Sequence, residues 1–201
     1  MPDIFFLSDT HFYHHNILKF TKPDGGLIRP GFTDVYHMHE VMIERWNSVV
    51  KPGDKVYHLG DVSIKYGTDL AKIMARLNGK KRLIFGNHDK IKGTNLMDFF
   101  EKGTMWRVFG IEGFVCSHVP LHPSNFPHSC VLNVHGHIHE KDQNDPRYNN
   151  ISVERINHTP IHIDVLIAMA KKLREDPPPR TLSAKLTYTG RAQPLNYEDY
   201  D

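Results

Sequence analysis

Three short apolar runs, each closed by side chains that can hold a metal ion, limit what this chain can become. "DIFFLSDTH" ends in Asp9 and His11, "KVYHLGD" in Asp61, and "KRLIFGNHD" in Asn87, His88 and Asp89. Runs of this length bounded by turn residues read as buried strands. Between the first two, residues 34–50 place Val35, Met38, Met42, Trp46 and Val49 at helical spacing, with Thr33 or Asp34 available as N-cap. Between the second and third, residues 68–77, "TDLAKIMARL", repeat the helical pattern. Strands alternating with helices imply parallel pairing, because a parallel connection needs a long crossover. In an open parallel sheet, ligands gather beyond the carboxyl ends of the strands. Asp9 and Asn87 are therefore expected at one edge, although two strand–helix units separate them in the chain.

Beyond residue 104 the pattern changes. "RVFGIEGFVCSH", "CVLNVHGH" and "NISVERI" are strand-like, and residues 163–175, "IDVLIAMAKKLRE", read as a closing helix that "DPPPR" stops. One domain over residues 1–175 is expected, with 176–201 as a poorly ordered Pro-containing tail. This half supplies His118 and then "LNVHGHIHE", where His135, His137 and His139 fall at alternate positions. Alternate side chains of an extended segment share a face, so these imidazoles can converge on one centre. A solvated strand edge has the same appearance, and the segment alone does not decide. The total does: two aspartates, one asparagine and four or five histidines exceed what one tetrahedral ion needs. The surplus points to two ions, with Asp61, from the middle strand, as the candidate bridge. Gly60, Gly86 and Gly136 precede ligand candidates, where a missing Cβ lets the chain turn sharply.

Histidine is the compositional outlier, at 15 residues. His14 and His15 follow the first motif and are candidates for the substrate entrance. His58 reads as a core residue or a support for the ligands. His37 and His39, two apart on a helix, face different ways and do not share a metal. His122 and His128 belong to a Pro-rich loop, "VPLHPSNFPHS", that is a candidate to overhang the site. Lys plus Arg number 25 against 23 for Asp plus Glu, which argues against a long nucleic-acid partner held by a strong positive field. Two cysteines, Cys116 and Cys130, are too few for a disulfide framework or a four-cysteine zinc site, so buried thiols are expected. The first residues lack a basic leader and "IFFL" is too short to span a bilayer, so a cytoplasmic protein with no membrane partner is expected.

Taken in order, Asp9-x-His11, Gly60-Asp61, Gly86-Asn87-His88-Asp89, His118 and Gly136-His137-x-His139 resemble the motif series of the calcineurin-like metallophosphoesterase superfamily, across residues 9–139. "SDTHF", "NSVV", "VYHLGD" and "LNGK" are similar to its small bacterial and phage-type members. The resemblance implies an α/β fold, a four-layer α/β/β/α sandwich with mixed sheets and a dinuclear site between them. It implies that Asp9, His11 and His139 hold one metal, that Asn87, His118 and His137 hold the other, and that Asp61 bridges the two. It also implies that His88 is the acid or transition-state donor beside the leaving group and that Asp89 orients it. The cofactors expected are two divalent ions, manganese first, with iron, nickel, cobalt or zinc as alternatives.

A divalent ion lowers the pKa of bound water from about 15.7 to about 7. The expected reaction is in-line attack on phosphorus by a metal-bridging hydroxide, with His88 as acid. Two divalent ions set against Asp9, Asp61 and one hydroxide leave a net charge of about +1, which a diester monoanion matches and a monoester dianion exceeds. A phosphodiesterase acting on a small phosphate ester is therefore favoured, with a phosphomonoesterase as the alternative. A non-catalytic scaffold and a short-oligonucleotide nuclease rank lower, since a scaffold has no need of a full ligand set and His88.

Overall fold

The structure, a computed structural model, describes residues 2–178. From residue 179 onward the expected tail lies outside the described residues. The alternation read from the first half is the one that forms. Strand β1 (Ile4–Leu7), helix α1 (Val35–Val49), strand β2 (Lys55–His58), helix α2 (Thr68–Met74) and strand β3 (Lys80–Ile84) follow one another, and the strands pair in parallel. A strand that the sequence reading did not separate, β4 (Lys102–Thr104), extends the parallel array. Asp34 caps α1: its Oδ1 accepts the amides of Tyr36 and His37, each at 2.8 Å. Helix α2 is shorter than "TDLAKIMARL" suggests, because Ala75–Leu77 turn toward Gly79, which sits at φ 84.

The second half is β-rich, as expected. Strands β5 (Trp106–Phe109), β6 (Phe114–Ser117), β7 (Leu132–His135) and β8 (Tyr148–Asn150) form a sheet in that order, antiparallel at β5–β6 and parallel after it. Strand β9 (Ile161–His162) then returns antiparallel to β1, so the first sheet reads β4-β3-β2-β1-β9, and helix α3 (Ile163–Glu175) closes the described chain. Both sheets are thus mixed. The run "NISVERI" is not a strand along its length. Only Asn150 belongs to β8; Ser152 makes a lone bridge to Ser8, and the chain then turns. Asn150 Oδ1 accepts both the amide (2.9 Å) and the hydroxyl (2.7 Å) of Ser152, a local bond that replaces the ladder.

Period-two alternation in the first sheet feeds two cores. Phe5, Leu7, Val56 and Leu83 pack with Val35, Met38, Met42 and Trp46 of α1 and with Leu70, Ile73 and Met74 of α2. Their neighbours Phe6, Tyr57 and Ile84 point the other way and meet Phe109, Phe114, Cys116, Leu132 and Val134 of the second sheet, together with Leu166, Ala170 and Leu173 of α3. Phe6 and Phe114 are fully enclosed, and burial of such a side chain contributes about 1.5–3 kcal/mol. Because the two sheets share a core, the carboxyl ends of β1, β2 and β3 lie beside those of β6 and β7, and the loops leaving all five meet. Both cysteines are buried thiols.

Candidate metal centre

Hydrogen bonds between main chains stitch these loops together before any side chain contributes. The amide of Asp9 donates to Gly60 O (3.0 Å), that of His11 to Asp61 O (3.0 Å), and that of Gly136 to His118 O (2.9 Å). The β2 and β3 loops touch through glycines: a Cβ on Gly60 would lie 2.5 Å from Gly86 N and 2.7 Å from His118 Nδ1. A Cβ on Gly136 would collide with Ser8 Oγ and Asp9 Oδ2. Five of the ligand candidates are non-glycine residues at positive φ: Asp9 (60), His11 (47), Asp61 (56), His137 (71) and His139 (51). Such a conformation stores about 1–3 kcal/mol per residue and persists only where the surroundings enforce it. Here it turns side chains away from strand geometry and inward.

Two groups result. Asp9, His11 and His139 bring one ligand atom each within 4.8 Å of one another, and so do Asp61, His118 and His137. Asp61 stands between them, with Oδ2 3.5 Å from His11 Nε2 and 3.3 Å from His118 Nε2. Asn87 Oδ1 lies 3.0 Å from His118 Nε2, on the side of the second group. All seven residues singled out as ligands therefore converge.

The donor set fits cations. Both ring nitrogens of His11 are buried without a hydrogen-bond partner, a state that proteins avoid unless something else occupies the position. Burial, helped by the charge of Arg29, lowers His11 to about 2 and keeps its lone pair free. Burial raises Asp9, an acid enclosed with too little compensating charge from the protein. Burial works in the same direction on Asp61, but the hydrogen bond and charge of His118, the His88 amide and His11 outweigh it and hold the carboxyl below the usual range. His118 uses Nδ1 to donate to Leu59 O (2.7 Å), which turns Nε2 toward Asp61.

The two residues assigned to proton chemistry part company. His88 is exposed at the mouth, its ring 5.7 Å from that of His11; its amide donates to Asp61 Oδ1 (2.9 Å), and its carbonyl accepts from Tyr66 OH (3.0 Å). Among the described residues, no hydrogen bond or ion pair joins Asp89 to the His88 ring. The Asp89 carboxylate accepts three main-chain amides, from Asp61 (3.0 Å), Val62 (2.9 Å) and Gly86 (2.8 Å). Its work is to clamp the β2 loop to the β3 loop.

Sequence reading missed Arg29, Glu154 and Ser152. Arg29 is buried and donates to the carbonyls of Asp9 and Thr10, while its Nε meets Glu154 Oε1 at 2.7 Å. The same oxygen receives His139 Nδ1 at 2.9 Å, leaving Nε2 of that ring for a ligand. Ser152 Oγ lies 2.9 Å from Asp9 Oδ2, its one hydroxyl proton shared between that oxygen and Asn150 Oδ1. "LIRPGF" and "SVERI" carry no signal for these roles, because charged residues default to the surface. Of the other histidines, His135 is buried, with Nδ1 2.8 Å from Gly136 O, and joins neither group. His58 bonds Thr10 Oγ1 (2.9 Å), and His39 accepts the Tyr13 amide (2.9 Å). His14 is half-buried, its ring 5.7 Å from that of His11, whereas His15 is exposed. His122 caps the turn Pro123–Asn125.

The family model described as calcineurin-like phosphoesterase matches residues 2–191. The chain belongs to the calcineurin-like phosphoesterase family. Family membership makes it a metal-dependent hydrolase of phosphoesters with two divalent metals, for which the two groups above are the candidate ligands. Among relatives of this phosphoesterase, the uncharacterized protein MJ1445 of Methanocaldococcus jannaschii is 33% identical over 183 residues, 86% of this chain and 93% of the relative. The Gene 66 protein of Mycobacterium phage L5 is 31% identical over 141 residues, 67% of this chain and 63% of the phage protein. A solved structure, the protein of unknown function AQ665 from Aquifex aeolicus, superposes with a TM-score of 0.65 at 26% identity, covering 84% of this chain and all of that one. Among the described residues, no helix is long and apolar enough to cross a membrane.

Proposed function

We propose that this chain is a dinuclear phosphodiesterase that acts on small phosphate esters in the cytoplasm. In this reading Asp9, His11 and His139 hold one cation, Asn87, His118 and His137 hold the other, and Asp61 is shared. The observation that supports it most directly is the position of Asp61 Oδ2, within 3.5 Å of a ring nitrogen from each group. When bound, the two ions supply Lewis acidity that lowers the pKa of water and neutralises charge on the phosphoryl oxygens. Manganese is the first candidate, with iron, nickel, cobalt and zinc as alternatives.

The protein's own part is positioning and proton supply. Asp89 and the Gly60–Gly86 contact fix the Asp61 and Asn87 loops, Glu154 fixes the His139 ring, and Ser152 fixes Asp9. His88, on main chain pinned by Asp61 and Tyr66, presents a free imidazole at the mouth and protonates the leaving oxygen. Charge favours a diester over a monoester: two divalent ions set against Asp9, Asp61 and one hydroxide would leave about +1, with the adjacent Glu154 cancelled by Arg29, and such an excess suits a monoanion.

The test is turnover of bis(4-nitrophenyl) phosphate against 4-nitrophenyl phosphate by metal-stripped protein reloaded with manganese. Faster cleavage of the diester is expected, and a faster monoester reverses the assignment. His88→Ala is expected to keep both metals while turnover falls about 10²–10⁴-fold, the usual contribution of a positioned proton donor. Unchanged turnover removes His88 from the reaction.

A further inference from the structure

The outer sides of His137 and His139 form one wall of a cavity of about 490 Å³ that the ligand assignment leaves unexplained. Its opposite wall is a hairpin. Thr21 pairs antiparallel with Leu27, the Ile28 amide donates to Phe20 O (2.9 Å), and Lys22 both donates to Gly26 O (2.7 Å) and accepts from the Gly25 amide (2.9 Å). The tip, Lys22-Pro23-Asp24-Gly25, has proline second and Gly25 at φ 84, residues suited to a tight turn. The base of the hairpin runs into Arg29, whose buried guanidinium is bonded to the carbonyls of Asp9 and Thr10. The wall is thereby tied to the metal centre.

Two cations line this space, Lys22 from the hairpin and Lys141 from the segment after His139. Lys141 is fixed like Lys22: its amide donates to Ile138 O (3.0 Å), and its carbonyl accepts from Asn150 Nδ2 (3.0 Å). Among the described residues neither ammonium group has an ion-pair partner. Glu140 is the one acid in the lining, so the cavity keeps a positive excess, while Ile28 and Ile138 supply apolar surface. Two ammonium groups on immobilised main chain, beside a phosphoryl site, are suited to a second anionic group on the same substrate. The apolar surface in the same lining suits a sugar or aryl carbon skeleton.

The geometry points to a substrate class: a phosphodiester with a second phosphate on one substituent, held by Lys22 and Lys141 in the cavity beside His137 and His139. This rests on the phosphodiesterase reading for the reaction itself, in which water oxygen joins phosphorus and the ester oxygen leaves with the bonding pair and a proton.

The probes are thymidine 5′-(4-nitrophenyl phosphate) and the same ester carrying a 3′-phosphate, read by nitrophenolate release from manganese-loaded protein. The 3′-phosphorylated ester is expected to be preferred about tenfold in kcat/KM, as two solvent-accessible ion pairs allow. The preference should shrink with added salt. In the double variant Lys22→Ala/Lys141→Ala the ratio of the two esters is expected to fall to about one. Calorimetric binding of thymidine 3′,5′-bisphosphate against thymidine 5′-phosphate gives the same ratio without turnover. A ratio near one in the wild type, or a ratio retained in the double variant, overturns the subsite. If neither ester is cleaved but the bisphosphate still binds more tightly and only with both lysines present, the subsite stands and the hydrolytic reading falls.

Discussion

Replacing Glu154 by Gln should damage both the stability of the protein and one of its two metal positions. Glu154 Oε1 is 2.7 Å from Arg29 Nε and 2.9 Å from His139 Nδ1, and the Arg29 and Glu154 side chains are 0% and 2% exposed. Burial pushes the Glu154 carboxyl up, but Arg29 and His139 outweigh it and hold the acid at about 2. Removing one partner of such a pair leaves an uncompensated buried charge, at about 3–5 kcal/mol. The lower end applies here, because Arg29 keeps its bonds to the carbonyls of Asp9 and Thr10 and a glutamine oxygen still accepts one donor. At about 2–4 °C per kcal/mol for a chain of this size, Tm of the metal-free protein should drop by about 6–12 °C. Loss of the carboxylate behind His139 should also weaken the Asp9–His11–His139 position about 10–100-fold and leave the Asp61–His118–His137 position close to its original affinity. Thermal melting of metal-free protein, followed by metal analysis after equilibration with a graded chelator, measures both. A Tm within about 1 °C of the wild type would refute the charge argument. Equal weakening of both metal positions would refute the selective role of Glu154.

Gly136→Ala should prevent the β7 loop from closing on β1, since its methyl group would collide with Ser8 Oγ and Asp9 Oδ2. The expected result is a folded protein that binds metal poorly by calorimetry; wild-type affinity would show that the loop relaxes freely. Stability of the metal-free protein should fall as pH drops from about 6.5 toward about 4. Burial lowers His39 to about 4, and burial followed by the charge of Arg29 lowers His158 to about 4, so the unfolded chain takes up protons first. Each group removes up to about 1.4 kcal/mol per pH unit inside that window. Denaturant midpoints at pH 7.5 and pH 5 check this, and equal midpoints would show that these rings are reached by solvent in the native state.

The sequence by itself determined the parallel core of the first sheet, β1 to β3, and the candidate ligands at the strand ends, because both rest on local pattern, whereas the edge strands β4 and β9 came only with the fold. Apolar alternation fixes which strand residues face which core, and a polar residue at a strand end needs no distant information to be recognised as a candidate ligand. Asp9, His11, Asp61, Asn87, His118, His137 and His139 were legible as candidates for that reason, as was α1 behind its Asp34 cap. The tertiary structure decided everything that depends on one side chain choosing among distant partners. Asp89 follows His88 in the chain, yet two amides of the β2 loop, Asp61 and Val62, and one of its own loop, Gly86, bond its carboxylate. Arg29 and Glu154 lie 125 residues apart, and their burial is compensated by each other, by the carbonyls of Asp9 and Thr10 and by His139. "NISVERI" has the composition of a strand, but Asn150 and the Asp9 carboxylate capture Ser152 and bend it. Periodicity is a property of the segment; partner choice for a buried charge is a property of the whole fold, because only the fold sets which opposite charge or amide is close enough to repay desolvation.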